Sequence, residues 1–216
     1  MRRLRPTPAR IALLLAATVV AGLGTAFATT LSASSSKLWG GQQTLTKSTC
    51  TLNTAADTWV DQASPTTTHA SGDLSVSDRG GSVREALVTF DLSSCGLPTT
   101  AGADSATLTL DLTSSTRSNH TISVYPVYSS WSPSTLTWNG LSGLTVDPTP
   151  TTTFASSAGT KTVTVTAQVD AAIKSGALWG WVLVDTAGPG TATSTFASAE
   201  NSTSSRRPSL TVSYER

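Results

Sequence analysis

From Ala106 to Thr113 apolar and polar residues alternate without a break. Ala106, Leu108, Leu110 and Leu112 take one set of positions, and Thr107, Thr109, Asp111 and Thr113 the other. A strand sends successive side chains to opposite faces, whereas a helix would scatter this pattern around its axis. The segment therefore reads as a strand with one buried and one wet face. Thr121 to Tyr128 repeats the pattern through Ile122 and Val124, and Pro126, which has no N–H to donate, marks an edge or a bulge there. Thr162 to Thr166 alternates through Val163 and Val165.

Further strands are expected at Asp57–Asp61, Leu74–Val76, Arg84–Leu92, Trp179–Asp185, Thr193–Ala197 and Ser209–Tyr214. Turn-forming residues separate them, including Ser64-Pro65 through Gly72 and Gly80-Gly81. One short helix is expected near residues 167–176, where Val169 and Ile173 lie four apart and Gly176 provides a left-handed stop. Short strands at this spacing predict an all-β chain folded as an antiparallel β-sandwich. Abundant Thr fits that class, because its branched carbon packs well on a pleated surface.

Residues 1–10 carry Arg2, Arg3, Arg5 and Arg10 and no acid, residues 11–28 are small and apolar, and Ala26-Phe27-Ala28 fits a cleavage site. Residues 1–28 thus read as a secretory signal peptide. The apolar run approaches the roughly 20 residues that span a bilayer, so the rival reading is a retained anchor. Gly22, Gly24 and the short apolar core favour cleavage, after which no stable membrane insertion is expected. Residues 29–50 form a Ser/Thr-rich leader or linker containing Trp39, and the domain is expected over residues 51–216.

Four of the 14 Lys and Arg lie in the signal and none of the 13 Asp and Glu, which leaves ten bases against thirteen acids. A general nucleic-acid binder needs a basic face to neutralise phosphates, so no nucleic-acid partner is expected.

Cys50 and Cys95 are the only cysteines. In an exported protein the pair most simply forms one disulfide. The alternatives are a metal pair or a catalytic thiol. A metal site would need further ligands, and only His69 and His120 are available as histidines. No Asp cluster has the spacing of an EF-hand loop. No cofactor is required by any motif, and a structural calcium is assigned no ligands.

Several segments occur in a recognisable order. Ala56-Asp57-Thr58-Trp59-Val60 comes first, followed by Arg84-Glu85-Ala86-Leu87-Val88-Thr89-Phe90-Asp91-Leu92-Ser93 and by Ser105-Ala106-Thr107-Leu108-Thr109-Leu110. Trp131-Ser132-Pro133-Ser134-Thr135-Leu136-Thr137-Trp138-Asn139 and Trp179-Gly180-Trp181-Val182-Leu183 come next. Phe196-Ala197-Ser198-Ala199-Glu200 and Arg207-Pro208-Ser209-Leu210-Thr211-Val212-Ser213-Tyr214 close the series. Their order and spacing resemble the DNRLRE domain family, also classed as carbohydrate-binding module family 96. The resemblance implies a jelly-roll β-sandwich on a secreted or cell-surface protein. It also implies binding of a polysaccharide, shown for some members on acidic polymers such as alginate, with no bond made or broken.

No nucleotide-binding, nucleophile-elbow or zinc-protease motif occurs. The available Asp and Glu select no pair at a glycosidase spacing. Sugar binding calls for aromatic faces with hydrogen-bonding groups around them. Trp131 and Trp138 read as core or corner packing, and Trp179 and Trp181, two apart, read as one buried strand face. Trp59, between Asp57 and Asp61, is either a platform or an inward anchor. A polyuronate would be met by Arg, whose planar fork pairs with carboxylates. The candidate carbohydrate-binding residues are accordingly Trp59, Arg79, Arg84 and Arg207. Arg84 and Arg207 also have a structural reading as ion pairs or turn ties. Arg79, beside Gly80-Gly81, is the freer cation. The competing function is a structural or adhesive surface protein without a specific glycan.

Overall fold

The computed structural model describes residues 46–215, apart from 81, 98–101, 177, 189 and 191. The segment read as a signal, Trp39 and most of the expected leader lie outside the described residues.

Eleven strands run in chain order: β1 Lys47–Asn53, β2 Ala56–Asp61, β3 Leu74–Arg79, β4 Ser82–Thr89, β5 Ala103–Ser115, β6 Thr121–Pro126, β7 Thr152–Ala155, β8 Gly159–Thr164, β9 Trp181–Asp185, β10 Ser194–Phe196 and β11 Ser209–Glu215. All their pairings are antiparallel, along the path β1-β11-β5-β10-β3-β4-β9-β6-β7, with β2 added to β4 and β8 to β5. Two short helices, α1 Trp138–Leu141 and α2 Thr166–Ser175, interrupt this mostly β, strongly curled sheet.

The curl arises where two long strands change partners. On β5, β8 pairs over Thr107–Leu112, overlapping both the β11 pairing at Ala103–Thr109 and the β10 pairing at Leu112–Ser115. A strand has two hydrogen-bonding edges, so β11 and β10 must follow one another along the edge opposite β8. On β4, β2 occupies one edge over Arg84–Thr89, while β3 and then β9 share the other at Ser82–Arg84 and Ala86–Val88. The sheet bends at each handover and closes over a single main core.

The alternation that predicted β5 holds. Ala106, Leu108, Leu110 and Leu112 are buried and pack with Leu210 and Val212 of β11, Val88 of β4, Ile122 and Val124 of β6, and Leu183 of β9. Each such side chain contributes about 1.5–3 kcal/mol by leaving water. Helix α2 adds Val169, and Gly176 ends it at φ 68° by donating its N–H to Ala172 O. Pro126 ends β6 beyond the reach of β7, whose pairing stops at Val124, so its missing donor costs no ladder bond on that side.

Four expected strands are shorter than the sequence suggests, among them β6, which stops at Pro126 instead of Tyr128. The strand expected at 84–92 stops at Thr89, because Asp91 caps a 3₁₀ turn at Leu92–Cys95 through bonds from Ser93 N and the Ser93 and Ser94 hydroxyls. The strand expected from Trp179 begins at Trp181, because Gly180 sits at φ +118° and breaks the alternation. The strand expected at 193–197 keeps only Ser194–Phe196. In the other direction, β1 begins at Lys47 and places Cys50 inside a strand opposite Val212. Cys50 and Cys95 form the expected disulfide, with Cα atoms 5.8 Å apart. It ties β1 to the 3₁₀ turn, where Tyr214 Oη also donates to Cys95 O.

The bridge joins residues separated by 45 positions and restricts the unfolded chain. Replacing both cysteines by Ser should lower the unfolding free energy by about 2–4 kcal/mol, read from urea denaturation monitored by tryptophan fluorescence.

Candidate functional site

Trp59 lies in the middle of β2, paired with Ala86 on one edge and bridged to His69 on the other. The His69 ring stacks on the indole at 3.7 Å between centroids and 16° between planes. From the β4 side, the Arg84 guanidinium lies 5.0 Å from the ring centroid. The indole is thus flanked on both sides and half-buried, so it acts as the support of Arg84 more than as a bare platform. Arg84 donates from Nε to Asp61 Oδ2 at 3.0 Å and from Nη1 to Ser75 Oγ at 3.4 Å, and its side chain remains 32 % exposed. Burial holds the His69 pKa below its ordinary value against the pull of Asp61, with Arg84 adding to the lowering.

The other candidate cations do not join this pair in one cluster. Arg79 ends β3 and is exposed. Arg207 donates from Nε to Asn201 O at 2.8 Å, and Arg206 grips Asp111 Oδ1 from Nε and Nη2 at 3.1 and 2.8 Å. Asn201 in turn reaches Asp73, just before β3, so Arg207 belongs to the end of β3 opposite Arg79. The structure brings Trp59 and Arg84 together, leaves Arg79 at the tip of the β3–β4 hairpin that carries Arg84, and makes Arg207 a turn tie.

A second region lies at the end of the sheet and was missed in the sequence. Trp179 was expected to share a buried face with Trp181. Trp181 is buried, but the turn at Gly180 sends Trp179 outward, where it is 45 % exposed, the one exposed large hydrophobic side chain among the described residues. A Cβ at Gly180 would overlap the Val88 carbonyl oxygen, so the position demands glycine on space as well as φ. Trp131 Nε1 donates to Trp179 O at 3.0 Å and Trp179 N donates to Val127 O at 2.7 Å. Together with Phe90, Leu92, Leu178 and Ala172, the two indoles wall a cleft of about 450 Å³. The sequence signal that could have found it is the glycine between two tryptophans, which permits the alternation to break.

One grouping resembles hydrolytic machinery without its geometry. His120 Nδ1 and Asp185 Oδ2 are 2.8 Å apart and buried, and Ser156 is adjacent. The Ser156 hydroxyl, however, serves the main chain, accepting from His120 N and donating to Arg117 O, so no nucleophile faces the imidazole. Among the described residues no group of three or more His, Cys, Asp or Glu side chains is placed to hold a metal ion. No helix among them is long and apolar enough to cross a membrane.

The profile of carbohydrate-binding module family 96 matches residues 48–214. The chain belongs to this family. Membership marks the module as non-catalytic. No curated protein matches its sequence. The motifs that carried the resemblance prove to be cross-ties of the module. Asp57 Oδ2 accepts from Ala199 N at 2.7 Å, joining the first motif to the Phe196–Glu200 motif, and Arg207 ties the last motif to Asn201.

Two carboxyls pay for their position by holding their protons, and this sets a pH dependence. Burial, reinforced by Glu200 and opposed by the bond from Ala199 N, raises Asp57 to about 6. Burial alone raises Glu85, half-buried on β4, to about 7. The unfolded chain titrates them at 3.8 and 4.5. Folding therefore takes up protons between these values, and the stability they contribute, complete at acid pH, is lost as pH rises through 6 and 7. The module should unfold at lower urea at pH 8 than at pH 5. Asp57→Asn should remove part of that difference, on the order of 2 kcal/mol, in denaturation curves taken across this range.

Proposed function

We propose that this chain is an exported module that holds an extracellular acidic polysaccharide, such as a polyuronate, without altering it. The observation that carries the reading is the presentation of Arg84. Its guanidinium is fixed by Asp61, Ser75 and the Trp59 face, while three of its five N–H groups engage no partner among the described residues. A planar cation held in this way meets a carboxylate with little loss of side-chain freedom. Arg79 supplies a second cation from the exposed end of β3. The Arg-rich and then apolar residues 1–28 support export to the cell surface or medium, and the handovers at β4 and β5 support a jelly-roll sandwich. Binding on this reading needs no metal or other cofactor.

Retardation of the protein in native gels containing alginate tests the proposal. Retardation should be unaffected by EDTA and should weaken as salt is raised, because paired charges are screened. Arg79→Ala should weaken it about two- to fivefold and Arg84→Gln about tenfold, the range set by losing one charge-assisted contact. Retardation equal for the variants, or absent for every acidic polymer with the protein folded, would overturn the assignment.

A further inference from the structure

The cleft at Trp179 has a chemistry unlike that around Arg84. Among the described residues its one charged lining residue is Asp91, and no Lys or Arg lines it. Asp91 is exposed, and its hydrogen bonds from the Ser93 and Ser94 hydroxyls and from Ser93 N hold its carboxyl below the usual range, so the cleft carries a permanent negative charge. Beside it a second hollow of about 360 Å³ shares Leu92, Ser93 and Ala172 and extends to Leu97, which makes an elongated groove rather than a closed pocket.

The wall is pre-set for a ligand. Trp179, 45 % exposed at the mouth of an apolar cleft, offers indole surface whose removal from water by a ligand is favourable. Trp179 has no freedom to withdraw by moving its backbone: its N–H and carbonyl are held by Val127 and Trp131, and Gly180 locks the turn that follows. A flat aromatic face carried on a held backbone, beside hydroxyls and a carboxylate, suits a pyranose ring, whose C–H face is apolar and whose edge carries polar groups. The charge then selects among sugars. A uronate would bring its carboxylate towards Asp91 with no cation to separate them. An amino sugar would bring an ammonium.

We propose that this groove is a second binding site, distinct from the Arg84 region, for a polymer of amino sugar. One ring stacks on Trp179 with its ammonium directed to Asp91, and the chain continues along Leu92 towards Leu97.

The probes are the β-1,4-linked glucosamine hexamer, its fully N-acetylated form and cellohexaose, titrated into the protein at pH 5.5 with tryptophan fluorescence and calorimetry as readouts. The glucosamine hexamer should bind and change the fluorescence, with at least about fivefold preference over the two uncharged hexamers. Trp179→Ala should weaken it about tenfold or more while leaving the urea midpoint and the retardation by alginate unchanged. Asp91→Asn, which keeps an oxygen for the turn, should abolish the preference. No binding of the glucosamine hexamer, equal binding of the uncharged hexamers, or full binding by Trp179→Ala would each overturn the proposal. Alginate retardation is read separately, so failure of the Arg84 assignment is distinguishable from failure of this one.

Discussion

Leu87 and Val182 point away from the main core, on the far faces of β4 and β9, yet both are buried. Their neighbours Ala86, Val88, Trp181 and Leu183 face inward. A strand apolar on both sides needs a cover on its outer side, and an antiparallel sheet does not supply one by itself. The segment from Val127 to Val146 does so. It lays Leu136, Trp138, Leu141 and Leu144 over that face with Val60, and turns α1 with the Thr137 hydroxyl as its cap. Trp131 sits at the border of this cover. Its indole N–H holds the Trp179 carbonyl, so the outer layer also fixes the cleft at the end of the sheet.

Polar ties then hold the strand ends and turns of the sheet. Asp57 to Ala199 and Arg206 to Asp111 join segments distant in sequence, while Arg207 to Asn201 closes a local turn. Where such a tie is buried, as at Asp57, the lack of water around the carboxyl raises its pKa to about 6. Where one partner is exposed, as Arg206 is against the half-buried Asp111, the pair adds little to stability and acts mainly to position a turn.

Period-two alternation made the interior of the fold legible. It located β5, β8 and β11 through their one wetter face, and found β6 from Ile122 and Val124 although that strand is covered on both sides. It was less informative for β4 and β9, where both faces are apolar and alternation says nothing about which side is inside. Backbone events that override the pattern were harder still. Asp91 ends a strand by competing for its own main chain, and Gly180 turns Trp179 out of a face it would otherwise share with Trp181. Trp59 and Arg84 were foreseen as separate candidates. That they form one stacked unit with His69 depends on which strands flank β2, and a linear sequence does not show pairing order.

The two regions proposed to bind sugar differ in what fixes the contacting group. Arg84 is held by a buried carboxylate and an aromatic face, so its position depends on its own side-chain partners. Trp179 is held through its backbone, and its side chain has no comparable tie. Charge contact at Arg84 falls off with salt, whereas stacking at Trp179 depends on removing apolar surface from water and is much less screened. A polymer bearing both carboxylates and amines could therefore engage both regions, and a polymer with one kind of charge only the region of opposite sign. On that basis, charge pattern along the glycan decides how much of the module it covers, and shape decides where each ring rests.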